Sequence, residues 1–501
     1  MEKLLGRTAR LSGLVFMPVR RLAGPLHRRR SALKSDPNAR LPPLPAPWKD
    51  PRWFRGDFPP RLHNDVRPLL HGDEYFGDLY PTLLAAQRRV TIAGWCLTPL
   101  MPLQRGDGEP DSLLAHVLSE VSRHAEVYVL LWCGAPALFE PNRHMVEEIR
   151  RTLLRIAPRV RCALDFSAPF SHDQHQKAVT VDGRIAYVGG MDLTTFQGDR
   201  WDTAAHPLRF GPNWHDAQTR LQGEVVRDVE ANFRQRWQAV TGESLVPLDP
   251  APLDPAWQTA AQIVRTIPRG FYSFAPSGQF GIFHALTTAI RRAERFVYLE
   301  NQYIWSPEVV EALMDAMSRP RATPLRVVLV LPAKAYTGKY DNDEHVRAFA
   351  KADAGRGFVH VYSLYASGPA IGATGFRHVP IYVHAKVAIV DDEWFSIGSA
   401  NLNRRGLATD AEMNVHGIAP DVARSLRIRL WSEHLGLGEE NVAAADPIDL
   451  IDRAWPETAR SVEESIRSGA PPGRGQARRY IPGRNPGSRV LDAVQDLTLE
   501  H

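Results

Sequence analysis

One pattern occurs twice in this chain, and it restricts the possible folds more than any other feature. His175-Gln-Lys177-Ala-Val-Thr-Val-Asp182 is followed, six residues later, by Gly189-Gly190-Met-Asp192. His384-Ala-Lys386-Val-Ala-Ile-Val-Asp391 is followed, six residues later, by Gly398-Ser399-Ala-Asn401. The common spacing, H-x-K-x4-D-x6-G-[G/S]-x-[D/N], recurs at a separation of 209 residues. Two such matches in register mark an internal duplication.

The surroundings repeat as well. A helix pattern over 79–87 leads to an apolar strand at 90–95, and a helix pattern over 284–294 leads to a strand at 296–299. Second helices at 112–124 and 309–318 lead to strongly apolar strands at 126–132 and 325–331. Strands alternating with helices predict the α/β class. The expected architecture is two similar lobes, each a mixed β-sheet flanked by helices, facing each other across one active-site cleft. Proline-rich stretches at 36–60 and 247–255 and a Gly/Pro/Arg stretch at 469–489 serve as punctuation. They divide the chain into a basic segment and linker (1–60), a first lobe (61–246), a linker (247–270), a second lobe (271–440), and a C-terminal helix with a flexible basic tail (441–501).

On a strand, residues two apart share a face. His175 and Lys177 therefore point the same way, as do His384 and Lys386. Asp182 and Asp391 fall on the opposite face and read as turn-closing groups. Gly189, Gly190 and Gly398, with Ser399 and Asp192, read as the structural remainder of the motif; the glycines could let backbone approach a ligand.

These residues resemble the phospholipase D superfamily, whose signature is this doubled motif. The likeness extends to Arg200-Trp-Asp-Thr203, His206-Pro-Leu208, Trp214-His-Asp216, Tyr298-Leu-Glu-Asn-Gln-Tyr303 and Tyr382-Val-His-Ala-Lys386. These runs look like the phosphatidylcholine-cleaving branch. The chain departs from the family at Arg405-Gly406, where Arg-Ser is common. The resemblance implies a phosphohistidine mechanism, with His175 as nucleophile and His384 as acid and base. The motifs themselves are nearly symmetric and do not rank the two. Lys177 and Lys386, helped by Asn401 and Ser399, would neutralise the phosphate. Each histidine also needs a carboxylate on its far nitrogen. The family pattern points to Asp216 in the first lobe; in the second, Asp410 and Glu412 are both available, and Glu412 is preferred. No metal and no cofactor are expected, because the lysines carry the charge.

Charge narrows the substrate. Residues 1–34 carry nine Lys and Arg against Glu2 alone, whereas the body of the chain is mildly acidic. A body that grips nucleic acid usually leans the other way, so no nucleic acid is expected. The reading is a monomeric cytoplasmic enzyme acting on phospholipid, with residues 1–34 resting on an anionic membrane surface. A disordered basic leader without function, or a secretory signal, is the alternative for that segment. Cys96, Cys133 and Cys162 read as buried thiols. His206 and His215 read as structural. A phosphatidyltransferase of the cardiolipin synthase type, or a nuclease, would share the same motifs.

Overall fold

The computed structural model describes Leu44 and residues 48–483, except for 57, 106–111, 136–139, 169–171, 335–338 and 371–373. The basic segment 1–34 lies outside the described residues. Among the described residues, no helix is long and apolar enough to cross a membrane.

The first lobe runs β1 (Arg61–Leu70), α1 (His71–Leu84), β2 (Arg89–Gly94), α2 (Leu114–Val121), β3 (Glu126–Trp132), α3 (Arg143–Ile156), β4 (Arg161–Asp165), β5 (Ala178–Val181), β6 (Ile185–Gly189), β7 (Asn213–His215), β8 (Ala217–Gly223) and α4 (Val226–Thr241). The second runs β9 (Thr259–Ile267), β10 (Gln279–Phe280), α5 (Gly281–Arg292), β11 (Phe296–Glu300), α6 (Pro307–Ser318), β12 (Arg326–Val330), α7 (Lys339–Asp353), β13 (Val359–Pro369), β14 (Phe376–Val383), β15 (Val387–Val390), β16 (Trp394–Gly398), β17 (Glu412–Ile418) and α8 (Pro420–Leu435).

Strand pairing makes the duplication explicit. The first lobe pairs in the order β1-β8-β6-β5-β2-β3-β4, with β2, β3 and β4 parallel and the others antiparallel. The second pairs in the order β9-β17-β16-β15-β11-β12-β13, with β11, β12 and β13 parallel. Position for position the two orders are the same. Strands β1 and β9 also pair with each other, antiparallel, so the two sheets meet along one seam.

The strands are apolar runs because both faces are covered. Val327 and Leu329 of β12 enter an outer core with α5 and α6, while Val328 and Val330 enter a core shared by both lobes. On β15, Ala388 and Val390 face the outer core and Val387 and Ile389 face the shared one. Val66 and Val188 of the first lobe meet Ile389, Val415 and Trp431 of the second in that shared core. The lobes are thus one packed body.

Three boundaries differ from the sequence reading. The expected linker 247–270 contains β9, whose buried residues Gln262–Thr266 pair with β17. Its proline-rich start hides a strand that both sheets need. The expected tail also holds more structure than one helix. Beyond Glu439–Ala444 (α9) and Trp455–Ser468 (α10), Ala477–Arg479 forms β18 against β13, and Tyr480 is buried. Finally, α1 spans His71–Leu84 rather than 79–87, because the backbone N–H groups of Gln87, Arg88 and Arg89 donate to the Asp182 carboxylate. The three cysteines are buried and unpaired.

Candidate active site

Each motif histidine sits just after a short parallel contact with the opposite lobe. Gln174 bridges Ala411 in parallel, and the His175 N–H donates to the Ala411 carbonyl at 2.8 Å. In the second lobe, Val383 of β14 pairs in parallel with His215 of β7, and the His384 N–H donates to the His215 carbonyl at 2.8 Å. The residue after each partner is a carboxylate. Glu412 therefore stands beside His175, and Asp216 beside His384.

The side chains follow this crossing. Nδ1 of His175 is 2.9 Å from Oε1 of Glu412. Nδ1 of His384 is 2.6 Å from Oδ2 of Asp216. The sequence reading assigned Asp216 and Glu412 each within its own lobe. The structure corrects this, because a strand-end carboxylate reaches only the histidine paired beside it across the seam. Asp410, the other second-lobe candidate, is taken by Arg405, whose Nε lies 2.9 Å away. Arg405 also holds Asp173 of the first lobe at 2.9 Å. With Nδ1 of both histidines engaged, Nε2 is the atom left for chemistry.

The lysines lie alongside. Lys177 Nζ donates to the His175 carbonyl at 3.0 Å and pairs with Asp192 at 3.0 Å. Lys386 Nζ donates to the His384 carbonyl. Asn401, the counterpart of Asp192, has a buried Oδ1 with no hydrogen-bond partner among the described residues. Its backbone explains the family departure at Gly406, where a Cβ would come within 2.6 Å of the Asn401 backbone.

Electrostatics sets the protonation states. Burial, reinforced by Lys177 and Lys386, holds the His175 imidazole well below its usual range. Burial and Lys386 do the same to His384. Lys386 is itself pulled down to about 7 by burial, with Lys177 and Arg200 opposing its charge. Residues of both motifs therefore sit in one another's field. Burial also acts against the charge on Asp216, but the His384 imidazole and Lys386 outweigh it and hold the carboxylate below its usual range. Burial pushes Glu412 well above its usual range. The two dyads match in geometry, while their carboxylates are shifted in opposite directions.

Asp182 and Asp391 are not beside the histidines. Both have positive φ, and each carboxylate accepts three consecutive backbone N–H groups: Gln87 to Arg89 for Asp182, Glu294 to Phe296 for Asp391. The idea that the motif glycines make room for a ligand gives way to a different role. A Cβ on Gly189 would strike Gln218, one on Gly190 would lie 2.2 Å from Asp216 Oδ1, and one on Gly398 would strike Asn414. They make room for the neighbouring strand and its carboxylate. Ser399 takes the place of Gly190 in the second lobe, and its hydroxyl donates to Glu412 at 2.5 Å instead of facing outward.

Two further contributors lie in runs quoted for the family likeness but given no role there. Trp214 packs against the His384 ring at 5.0 Å, and the Arg200 guanidinium stacks over Trp214 at 3.7 Å. Tyr298 is wholly buried in the shared core and bonded to Glu300.

A family model described as "Cardiolipin synthase, PLD-like domain" matches residues 286–432. Phospholipase D A of Dictyostelium discoideum is 25% identical over 471 residues, covering 76% of this chain and 36% of that protein. Phospholipase D alpha 1 of Brassica oleracea var. capitata is 24% identical over 562 residues, covering 79% of this chain and 68% of its own length. Phospholipase D alpha 1 of Ricinus communis is 28% identical, covering 75% and 66%. The chain thus spans about two thirds of these plant relatives and about a third of the Dictyostelium protein. Among solved structures, phosphatidylserine synthase of Haemophilus influenzae Rd KW20 aligns with a TM-score of 0.49 and 12% identity, covering 87% of this chain and 94% of that one.

Proposed function

Because this chain belongs to the phospholipase D superfamily, we propose that it hydrolyses the distal phosphodiester bond of glycerophospholipids, releasing the headgroup and leaving phosphatidic acid. The observation that carries this reading is the pair of crossed histidine–carboxylate dyads, each with its motif lysine alongside.

In this reading Nε2 of neutral His175 attacks phosphorus. The P–N bond forms as the bond to the headgroup oxygen breaks, and that oxygen takes a proton from Nε2 of His384. The anionic phosphate supplies the charge that lets His384 be protonated in a site that otherwise disfavours its cation. His384 then takes a proton from water, whose oxygen displaces His175 from phosphorus. An alcohol can replace water at that step, which makes transphosphatidylation a second outcome. Lys177 and Lys386 offset charge on the non-bridging oxygens.

Incubation of the purified chain with phosphatidylcholine and ethanol tests the reading. Free choline, phosphatidic acid and phosphatidylethanol are expected. A second reading, a phosphatidyltransferase, is favoured by the description of the family model over residues 286–432. It would consume phosphatidylglycerol, make cardiolipin and release little choline. DNA cleavage with every lipid left intact would overturn both. Residues 1–34, with nine cations, would hold the enzyme on anionic lipid at about 1 kcal/mol per cation near the surface. Equal vesicle binding after their deletion would refute that part.

A further inference from the structure

Outside the two motifs, four buried side chains converge on one point between the lobes. His71 begins α1, His206 lies in the loop after β6, and His215 is on β7, all in the first lobe. Glu433 is on α8 of the second. Their ligand-capable atoms all lie within 4.8 Å of one another. His206 and His215 are wholly buried, His71 is 2% exposed and the Glu433 side chain 5%.

Two of the distances have the spacing of ligand atoms around a shared ion. Oε1 of Glu433 is 3.3 Å from Nε2 of His206 and 3.4 Å from Nδ1 of His215. A tetrahedral zinc site, with bonds of roughly 2.0–2.1 Å, places its ligand atoms about 3.3–3.4 Å apart. The other oxygen of Glu433 is 2.7 Å from Nε2 of His71. The three rings splay around this point, with centroids 4.7, 5.0 and 6.0 Å apart and steep interplanar angles.

Proton counting sharpens the case. The far nitrogen of His206 lies 3.2 Å from Asp202, and the far nitrogen of His215 lies 2.7 Å from Glu300. Each of these rings faces a carboxylate at both nitrogens. A neutral imidazole has a single N–H. With protons alone, each ring must either turn a lone pair toward one of its carboxylates, as the unbonded Nδ1 atoms of His206 and His215 do, or become a cation buried beside the other, and both cost heavily. A divalent ion at the convergence point carries the same two charges without that repulsion. Each ring then keeps one N–H for its outer carboxylate and turns its lone pair to the ion. A carboxylate behind each metal-binding histidine is the usual support for such a ligand.

We propose that His71, His206, His215 and Glu433 bind one divalent transition-metal ion of the zinc class, which bolts the second lobe to the strand carrying Trp214 and Asp216. The ion is structural and does not touch the phosphate. The proposal goes beyond the phosphodiesterase reading and does not depend on it.

Metal analysis of the untagged full chain, purified without chelator, tests it without any substrate. About one tightly held zinc per chain is expected. Growth on cobalt should give the visible bands of a tetrahedral ion, and X-ray absorption should report imidazole scattering. His71→Gln should lose the metal, whereas His378→Gln, at a histidine outside the cluster, should keep it. If His71→Gln does not fold, the wild-type metal content and cobalt spectrum still decide. A metal-free wild-type protein whose melting temperature does not rise with added zinc or cobalt would overturn the proposal, as would zinc retained in full by folded His71→Gln.

Discussion

Glu412 of the second lobe is bonded to Nδ1 of His175 in the first, at 2.9 Å across 237 residues of chain. Asp216 and His384 form the reciprocal pair. The crossing predicts phenotypes that follow the histidine and not the lobe. Asp216→Asn should behave like a His384 variant, and Glu412→Gln like a His175 variant, each losing roughly 100- to 10,000-fold in kcat. With labelled lipid, His384→Asn should trap phosphate on residue 175, while His175→Ala should trap none. Label trapped on residue 384 would reverse the roles.

Gly190→Ala should disable the site from a residue that touches no substrate. Its Cβ would sit 2.2 Å from Asp216 Oδ1 and displace that carboxylate from His384. Activity should fall towards that of Asp216→Asn with the fold retained by circular dichroism. Ser399→Ala removes only the hydroxyl bonded to Glu412, so its effect should be nearer tenfold, from about 1–2 kcal/mol of lost hydrogen bonding to a carboxyl. Equal damage from both changes would undermine the account.

Asp182→Ala and Asp391→Ala should cost stability rather than chemistry. Each carboxylate holds three backbone N–H groups that would be left partly unsatisfied. A loss of about 2–4 kcal/mol in urea unfolding is expected: bonds to charged groups contribute about 1.5–3 kcal/mol each, and water takes over part of the three in the variant. The folded fraction should keep kcat within a few-fold. A stable but inactive Asp182→Ala would contradict this.

Anion affinity should weaken as pH rises through about 7, where burial places the Lys386 titration in the empty site. The ammonium is charged below that pH and neutral above it. Tungstate, whose own charge is constant there, should bind more weakly by up to about tenfold per pH unit. Lys386→Met should bind weakly at every pH. The same shift acts on folding. Between about 7 and the ordinary lysine value near 10.4, the unfolded chain holds a proton that the folded chain does not, so this group adds stability as pH rises across that window. His175 and His384, held neutral by burial, act likewise at the acid end: stability falls as pH drops below about 6.5. Calorimetry across pH reads both.

Much of this was legible in the sequence because it is local. The i, i+2 pairing of His175 with Lys177 follows from strand geometry, and the duplicated order of helices and strands predicted two matched sheets. What was not legible depends on contacts between distant residues. Nothing near His175 names Glu412, because the pairing arises from the bridge between Gln174 and Ala411. The proline-rich start of 247–270 masked β9, whose burial comes from β17 and β1. The cluster of His71, His206, His215 and Glu433 comes from segments too far apart for spacing to relate them. Glycine roles were misjudged because their neighbours, Asp216 and Asn414, arrive from the adjacent strand.

The exchange of carboxylates also bears on ancestry and heredity. A single ancestral half, paired with a second copy of itself, could have completed its reactive groups only by lending one and borrowing one. In one chain the loan is fixed, and neither half can change alone: a harmful substitution in one copy removes a partner from the histidine of the other.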